Sequence, residues 1–151
     1  ITKNSMTLFI SELISKCIRE EEKNEELFDF IVSSFMWLDI SKNHQNFHIH
    51  FITKFLKYLG ISPYNNPGSN DFDIVNGCFI KSVEKKRMIP QNIVISLNRF
   101  LGTNFDEINT NVDSSQKRKQ FLEFMINYLE FHIESFKRPK SLNVLYDLFK
   151  S

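Results

Sequence analysis

Residues 72–81 read Phe72-Asp73-Ile74-Val75-Asn76-Gly77-Cys78-Phe79-Ile80-Lys81. Two β-prone runs flank an Asn-Gly pair, and that pair suits the positive φ angles of a type I′ turn. The stretch predicts a β-hairpin over about residues 72–81. Before it lies Ile61-Ser62-Pro63-Tyr64-Asn65-Asn66-Pro67-Gly68-Ser69-Asn70, a loop by every local criterion. Elsewhere the apolar residues recur at helical spacing, so the hairpin is a single interruption in a helical chain.

Upstream, three apolar periods mark three helices. Met6, Phe9, Ile10, Leu13, Ile14, Cys17 and Ile18 form the first stripe, with Ser5 as its predicted cap. Glu20-Glu21-Glu22-Lys23-Asn24 breaks that period. Asn24 caps a second helix whose first turn carries Glu25 and Glu26, the favourable sign for the helix dipole. Leu27, Phe28, Ile31, Phe35 and Leu38 form its stripe. Phe30, Val32, Met36 and Trp37 make its second half apolar all round, which predicts the central, most buried helix. A third helix carries Phe47, Phe51, Ile52, Phe55, Leu56 and Leu59 and stops at Gly60, a left-handed cap.

Downstream, Pro90 opens a fourth helix with the stripe Ile93, Val94, Leu97, Phe100 and Leu101, closed by Gly102. Thr103 and Asp106 can cap a short turn before the Asn-rich stretch 109–111. The longest helix runs from about Ser114 to Ile133, with Phe121, Leu122, Met125, Leu129, His132 and Ile133 on its core face. Beyond Pro139, Leu142, Leu145, Leu148 and Phe149 make a last short helix. The predicted fold is mainly α, a bundle of about six to seven helices interrupted by one hairpin, as a single domain over residues 1–151.

Composition narrows the function classes. The chain of 151 residues is 42% hydrophobic with a formal net charge of +1, which excludes intrinsic disorder. No stretch approaches 18 uncharged apolar residues, so no transmembrane helix is predicted. Cys17 and Cys78 offer no disulfide framework and suit a reducing compartment. There is no Ala, and 14 Lys stand against 5 Arg, the bias an AT-rich genome gives, so single lysines and aromatics carry less functional information. The chain opens at Ile1 without an initiator Met or a signal-type n-region, and reads as a fragment of a longer protein.

Three stretches stand out together: Ile18-Arg19-Glu20-Glu21-Glu22-Lys23-Asn24-Glu25-Glu26-Leu27-Phe28-Asp29-Phe30; Asn46-Phe47-His48-Ile49-His50-Phe51 through Lys57-Tyr58-Leu59-Gly60-Ile61 and the hairpin; and Phe136-Lys137-Arg138-Pro139-Lys140-Ser141-Leu142-Asn143-Val144-Leu145. Their order and spacing resemble the C-terminal domain of the RecO family of bacterial recombinational-repair mediators. The resemblance implies a non-enzymatic function without a cofactor. Its members bind and anneal single- and double-stranded DNA. They contact a RecR-like protein and the acidic, Phe-terminated tail of single-stranded-DNA-binding protein. It also implies a cytoplasmic, nucleoid-associated protein with no membrane partner. The N-terminal OB-fold of the family is absent from this chain. Many members hold a structural zinc on two Cys-x-x-Cys pairs around the hairpin. Here the flanking stretches have no cysteine and Cys78 stands alone, so no metal is predicted. The hairpin must then be held by packing through Phe72, Ile74 and Phe79.

Charge is distributed unevenly. Lys81, Lys85, Lys86 and Arg87 form one cluster, Lys117, Arg118 and Lys119 a second, and Lys137, Arg138 and Lys140 a third; these are the candidate DNA-binding residues. The same cations also describe a solvated, codon-biased lysine surface. Within the second cluster, three successive helical residues point in different directions. His44, His48 and His50 invite a metal reading, but Gln45 stands where a metalloprotease helix has its glutamate, and satisfied helix–helix histidines account for them better. No nucleophile motif and no Gly-rich phosphate loop is present, so no catalytic residue is predicted. The place of the partner-tail groove is not legible. The rival to a DNA-binding role is a helical protein–protein scaffold.

Overall fold

The elements follow one another as α1 (Lys3–Cys17), α2 (Glu25–Ile40), α3 (Phe47–Tyr58), β1 (Asp71–Asp73), β2 (Cys78–Ile80), α4 (Gln91–Gly102), a 3-10 turn (Phe105–Glu107), α5 (Ser115–His132) and α6 (Ser141–Leu148). The structure, a computed structural model, describes residues 2–19, 23–66, 68–82, 89–107 and 114–150. The mainly helical class with one hairpin is the one the sequence predicts.

The central helix is α3, not α2. Phe47, Phe51, Ile52, Phe55 and Leu56 of α3 are wholly buried, and α3 packs against α1, α2, α4 and α5. Of α2, Ser34 and Leu38 are buried, while Phe28, Val32, Met36 and Ile40 are 66%, 40%, 66% and 79% exposed. Hydropathy misplaces the two helices for a physical reason. His48, His50 and Thr53 make α3 look less apolar, yet neutral imidazoles pack against the rings of Phe149 and Phe100, and Thr53 returns its hydroxyl to the carbonyl of Ile49 at 2.8 Å.

Capping follows the sequence with two corrections. Asn24 Oδ1 accepts from the N–H of Leu27 at 2.9 Å, and Ser114 Oγ from that of Lys117 at 3.2 Å. Gly60, at φ 73°, closes α3. The cap of α1, however, is Thr2, whose Oγ1 accepts from Ser5 N–H, because the helix begins at Lys3. Gly102 lies in the last turn of α4 without a left-handed φ, and the chain leaves through extended Thr103.

The hairpin is antiparallel in the register Asp71↔Ile80, Phe72↔Phe79 and Asp73↔Cys78. Its connection is the four residues 74–77, not the two-residue type I′ turn predicted. Asp73 Oδ1 accepts from the N–H groups of Val75 and Asn76, both at 3.0 Å, and Oδ2 accepts from Asn76 Nδ2 at 2.6 Å. This side-chain turn bends the chain before Val75 can pair. Gly77 has a positive φ of 65°, whereas Asn76 does not, so the two positive angles of a type I′ turn are absent.

The hairpin is fastened to the bundle at several points. Phe72 meets Phe79 and Phe124 edge-on, at 5.0 and 5.8 Å between centroids. Tyr128 donates its hydroxyl to the carbonyl of Ile61 at 2.7 Å, and His132 Nε2 donates to that of Ile74 at 2.8 Å. Tyr64 adds a parallel bridge to Cys78 through Tyr64 N–H to Gly77 O and Phe79 N–H to Tyr64 O.

Candidate functional site

The predicted cations occupy different settings. Lys81 is exposed just after β2, while Lys85, Lys86 and Arg87 lie outside the described residues. Lys117 is exposed in the first turn of α5. Arg118 is half-buried 6.0 Å from the ring centre of Phe149, and burial lowers its pKa. Lys119 places Nζ 4.9 Å from the ring centre of Tyr146. Although about 100° apart on α5, Arg118 and Lys119 thus reach neighbouring rings at the end of α6.

The third cluster divides further. The side chains of Lys137 and Lys140 are exposed. Arg138 is committed internally: Nη1 donates to Glu123 at 2.6 Å, Nε to Glu130 at 2.8 Å and Nη2 to Asn127 at 2.5 Å. Its hydrogen bonds to Glu130, against the opposing effect of burial, and then those to Glu123 hold its charge on. Glu123 also accepts the hydroxyl of Tyr146.

Two clusters therefore meet at one seam. Arg118, Lys119 and Arg138 are connected through Phe149, Tyr146 and Glu123 along the α5–α6 boundary, where the two rings lie 6.5 Å apart. Lys119 also borders a cleft of about 620 Å³ that Ile89, Pro90 and Phe124 line as well.

A groove that sequence reasoning missed lies between α2, α3 and the 3-10 turn. It encloses about 600 Å³ and is walled by Phe30, Trp37, Tyr58 and Phe105, with Lys54 and Lys57 on the α3 side. The rings stack on one another: Phe30 on Tyr58 at 4.6 Å and 20°, Trp37 on Phe105 at 5.5 Å and 29°. Burial lowers the pKa of Lys54; Glu107 opposes that shift and the charge of Lys57 adds to it. The available signal was Lys54-x-x-Lys57 on one helical face. The aromatic wall comes from another helix and has no local signature.

The histidines do not converge. His48 packs on Phe149 and His50 edge-on to Phe100 at 4.7 Å, toward different helices. Both are fully buried, and their ring nitrogens have no hydrogen-bond partner. Burial, then the charge of Arg118, pushes the pKa of His48 down to about 3; burial, then Lys54, pushes that of His50 down to about 4. Among the described residues, no three His, Cys, Asp or Glu side chains gather in a way that could hold a metal. Cys17 is buried, which raises its pKa to about 12, far from a nucleophilic thiolate.

Comparison with known proteins adds an independent finding. The family described as "Recombination protein O C terminal" matches residues 1–142. The chain is 37% identical over 150 residues to the DNA repair protein RecO of Christiangramia forsetii, covering 97% of this chain and 62% of that protein. It is 33% identical to the DNA repair protein RecO of Flavobacterium psychrophilum, covering 99% of this chain and 63% of that protein. The corresponding values for Flavobacterium johnsoniae are 31%, 99% and 62%. The chain thus spans a little under two thirds of the length of these relatives. No solved structure matches it. No helix among the described residues is long and apolar enough to cross a membrane.

Proposed function

The chain belongs to the RecO family of DNA repair proteins, and from that premise we propose that it is the part of a recombination mediator that holds DNA and a partner's tail, acting by binding and not by catalysis. The observation that carries this reading is the groove of Phe30, Trp37, Tyr58 and Phe105 beside Lys54 and Lys57. An acidic peptide ending in Phe matches it. The terminal ring stacks on the aromatic wall, and the terminal carboxylate pairs with Lys54 and Lys57, two adjacent ammonium groups of which the partly desolvated Lys54 is only partly offset by Glu107. Single-stranded-DNA-binding protein carries a tail of that chemistry.

DNA is held through phosphates by Lys81, Lys85, Lys86, Arg87, Lys117, Lys119, Lys137 and Lys140. Arg118 and Arg138, engaged with Phe149 and with Glu123 and Glu130, shape the seam between these contacts. Each phosphate neutralised releases about one counterion, so affinity falls with salt. The same reading takes a RecR-like protein as a further partner and expects the protein at the nucleoid.

Two titrations test the reading. A labelled acidic peptide ending in Phe saturates the protein in fluorescence anisotropy. Lys54→Glu with Lys57→Glu weakens it by about tenfold or more, about 1.4 kcal/mol, as does deletion of the terminal Phe. A labelled oligonucleotide binds more weakly at about 200 mM than at about 50 mM salt. Replacing Lys81, Lys85, Lys86 and Arg87 with Ala weakens it without unfolding the domain. Absence of DNA binding at low salt leaves the scaffold reading in its place.

A further inference from the structure

Helix α2 presents a second surface, on the side away from the core. Phe28, Val32, Met36 and Ile40 recur every fourth residue and are all exposed. They form one ridge about 18 Å long at 1.5 Å per residue. The other large exposed apolar residues described, Leu8, Tyr64, Val75, Ile95, Phe131 and Val144, make no such row on any one helix. Contiguous exposed apolar surface of this kind marks a binding face.

Charge decides what the ridge receives. Helix α2 carries Glu25, Glu26, Asp29 and Asp39 and no Lys or Arg. At 100° per residue, Glu25, Asp29 and Asp39 fall within the same outward arc as the ridge, and all three are exposed. The nearby cations are at the helix ends. Lys23 is ion-paired to Glu25 at 2.6 Å, and the ammonium of Lys3 donates to the carbonyl of Asp39. A dent of about 560 Å³ beside Phe28, lined also by Asn24 and Asp29, gives a side chain a place to seat. Such a face repels phosphate, and it repels a second copy of itself.

We propose that the outer face of α2 docks a basic amphipathic helix of a partner protein. Apolar side chains of the partner at every third or fourth position would lie along Phe28, Val32, Met36 and Ile40, and its flanking Lys or Arg would meet Glu25, Asp29 and Asp39. The surface is separate from the groove of Lys54 and Lys57, so this inference stands whether or not the groove binds a tail.

The probe is a labelled synthetic helix of about 18 residues, with Leu along one face and Lys flanking it, titrated against the 151-residue chain. Binding is expected, with a loss of about tenfold or more when Phe28→Ser and Met36→Ser are combined. A similar loss is expected when the peptide's Lys residues become Glu. Both positions are exposed, so the double variant should melt within about 2 °C of the parent. Equal binding by the parent and the double variant, or by both peptides, overturns the proposal. So does a dimer in light scattering that Met36→Ser dissolves, because a second copy then owns the face.

Discussion

Glu12 on α1 accepts the hydroxyl of Ser141 at 2.6 Å and its backbone N–H at 2.9 Å, capping α6 from 129 residues upstream. The N–H of Lys140 donates to the other carboxylate oxygen at 2.8 Å. Helix α6 has no side-chain cap of its own, so these orphan donors depend on α1. Replacing Glu12 with Ala should lower unfolding free energy by about 1–3 kcal/mol, the range for loss of charge-assisted bonds to a helix start. Urea denaturation checks it, and Glu12→Gln should lose less.

The same carboxylate gives an acid signature. Burial pushes its pKa up, but the Ser141 hydroxyl and the Ser141 and Lys140 N–H groups outweigh it and bring the pKa down from 4.5 to about 2. A depressed carboxylate stabilises the fold above its unfolded value and loses that contribution as pH falls through the folded one. Between pH 4.5 and about 2, Glu12→Gln should therefore show a shallower fall in melting temperature than the parent.

The buried histidines act in a higher window. Both pKa values lie below the ordinary 6.5, at about 3 for His48 and about 4 for His50. The folded state keeps each ring neutral while the unfolded chain takes up protons, so stability is full above about pH 6.5 and falls below it. The loss is about 1.4 kcal/mol per pH unit for each ring, until the folded values are reached. His48→Leu keeps an apolar group against Phe149 and removes one titration. It should roughly halve the slope of stability between pH 6 and about 4, which pH-dependent denaturant melts will show.

Gly77 tests how the hairpin is fastened. A Cβ there would come within 2.7 Å of the Tyr128 hydroxyl, on a backbone already at φ 65°. Gly77→Ala should cost about 1–3 kcal/mol through combined strain and displacement of Tyr128. Tyr128→Phe, which only loses the bond to Ile61, should cost about 1 kcal/mol. If both substitutions are neutral in thermal melts, the hairpin is not held by α5.

How much of this was legible in the sequence depended on distance along the chain. Asn24, Ser114 and Gly60 act on neighbours within a few residues, so their capping roles could be read directly. Asp73 was within reach too, since an Asx turn needs only the two residues that follow. The Asn-Gly pair drew attention to itself instead. The place of α2 was not readable, because an all-round apolar helix fits the centre or an interface equally well and only the packing of α3 decides. Likewise the cap of α6 by Glu12, the aromatic wall beside Lys54 and the seam joining Lys119 to Arg138 arise from helices far apart in sequence. Of the basic clusters, sequence supplied the membership but not which charges were already spoken for.

Arg138 makes that last distinction measurable. Its guanidinium lies between Glu123 and Glu130, at 2.6 and 2.8 Å, and reaches Asn127 as well. Two carboxylates already offset its charge, so a phosphate would have to compete with both. These side chains are more than a third exposed, so water screens the network and its loss should cost only about 1 kcal/mol. The informative readout is the dependence of DNA affinity on salt. Arg138→Ala should leave the slope of log K against log salt unchanged, even if the freed carboxylates weaken binding overall. Lys119→Ala should reduce that slope by about 0.9, the loss of one phosphate contact. A comparable drop for Arg138→Ala would instead place Arg138 on the DNA and make its bonds to Glu123 and Glu130 a resting state.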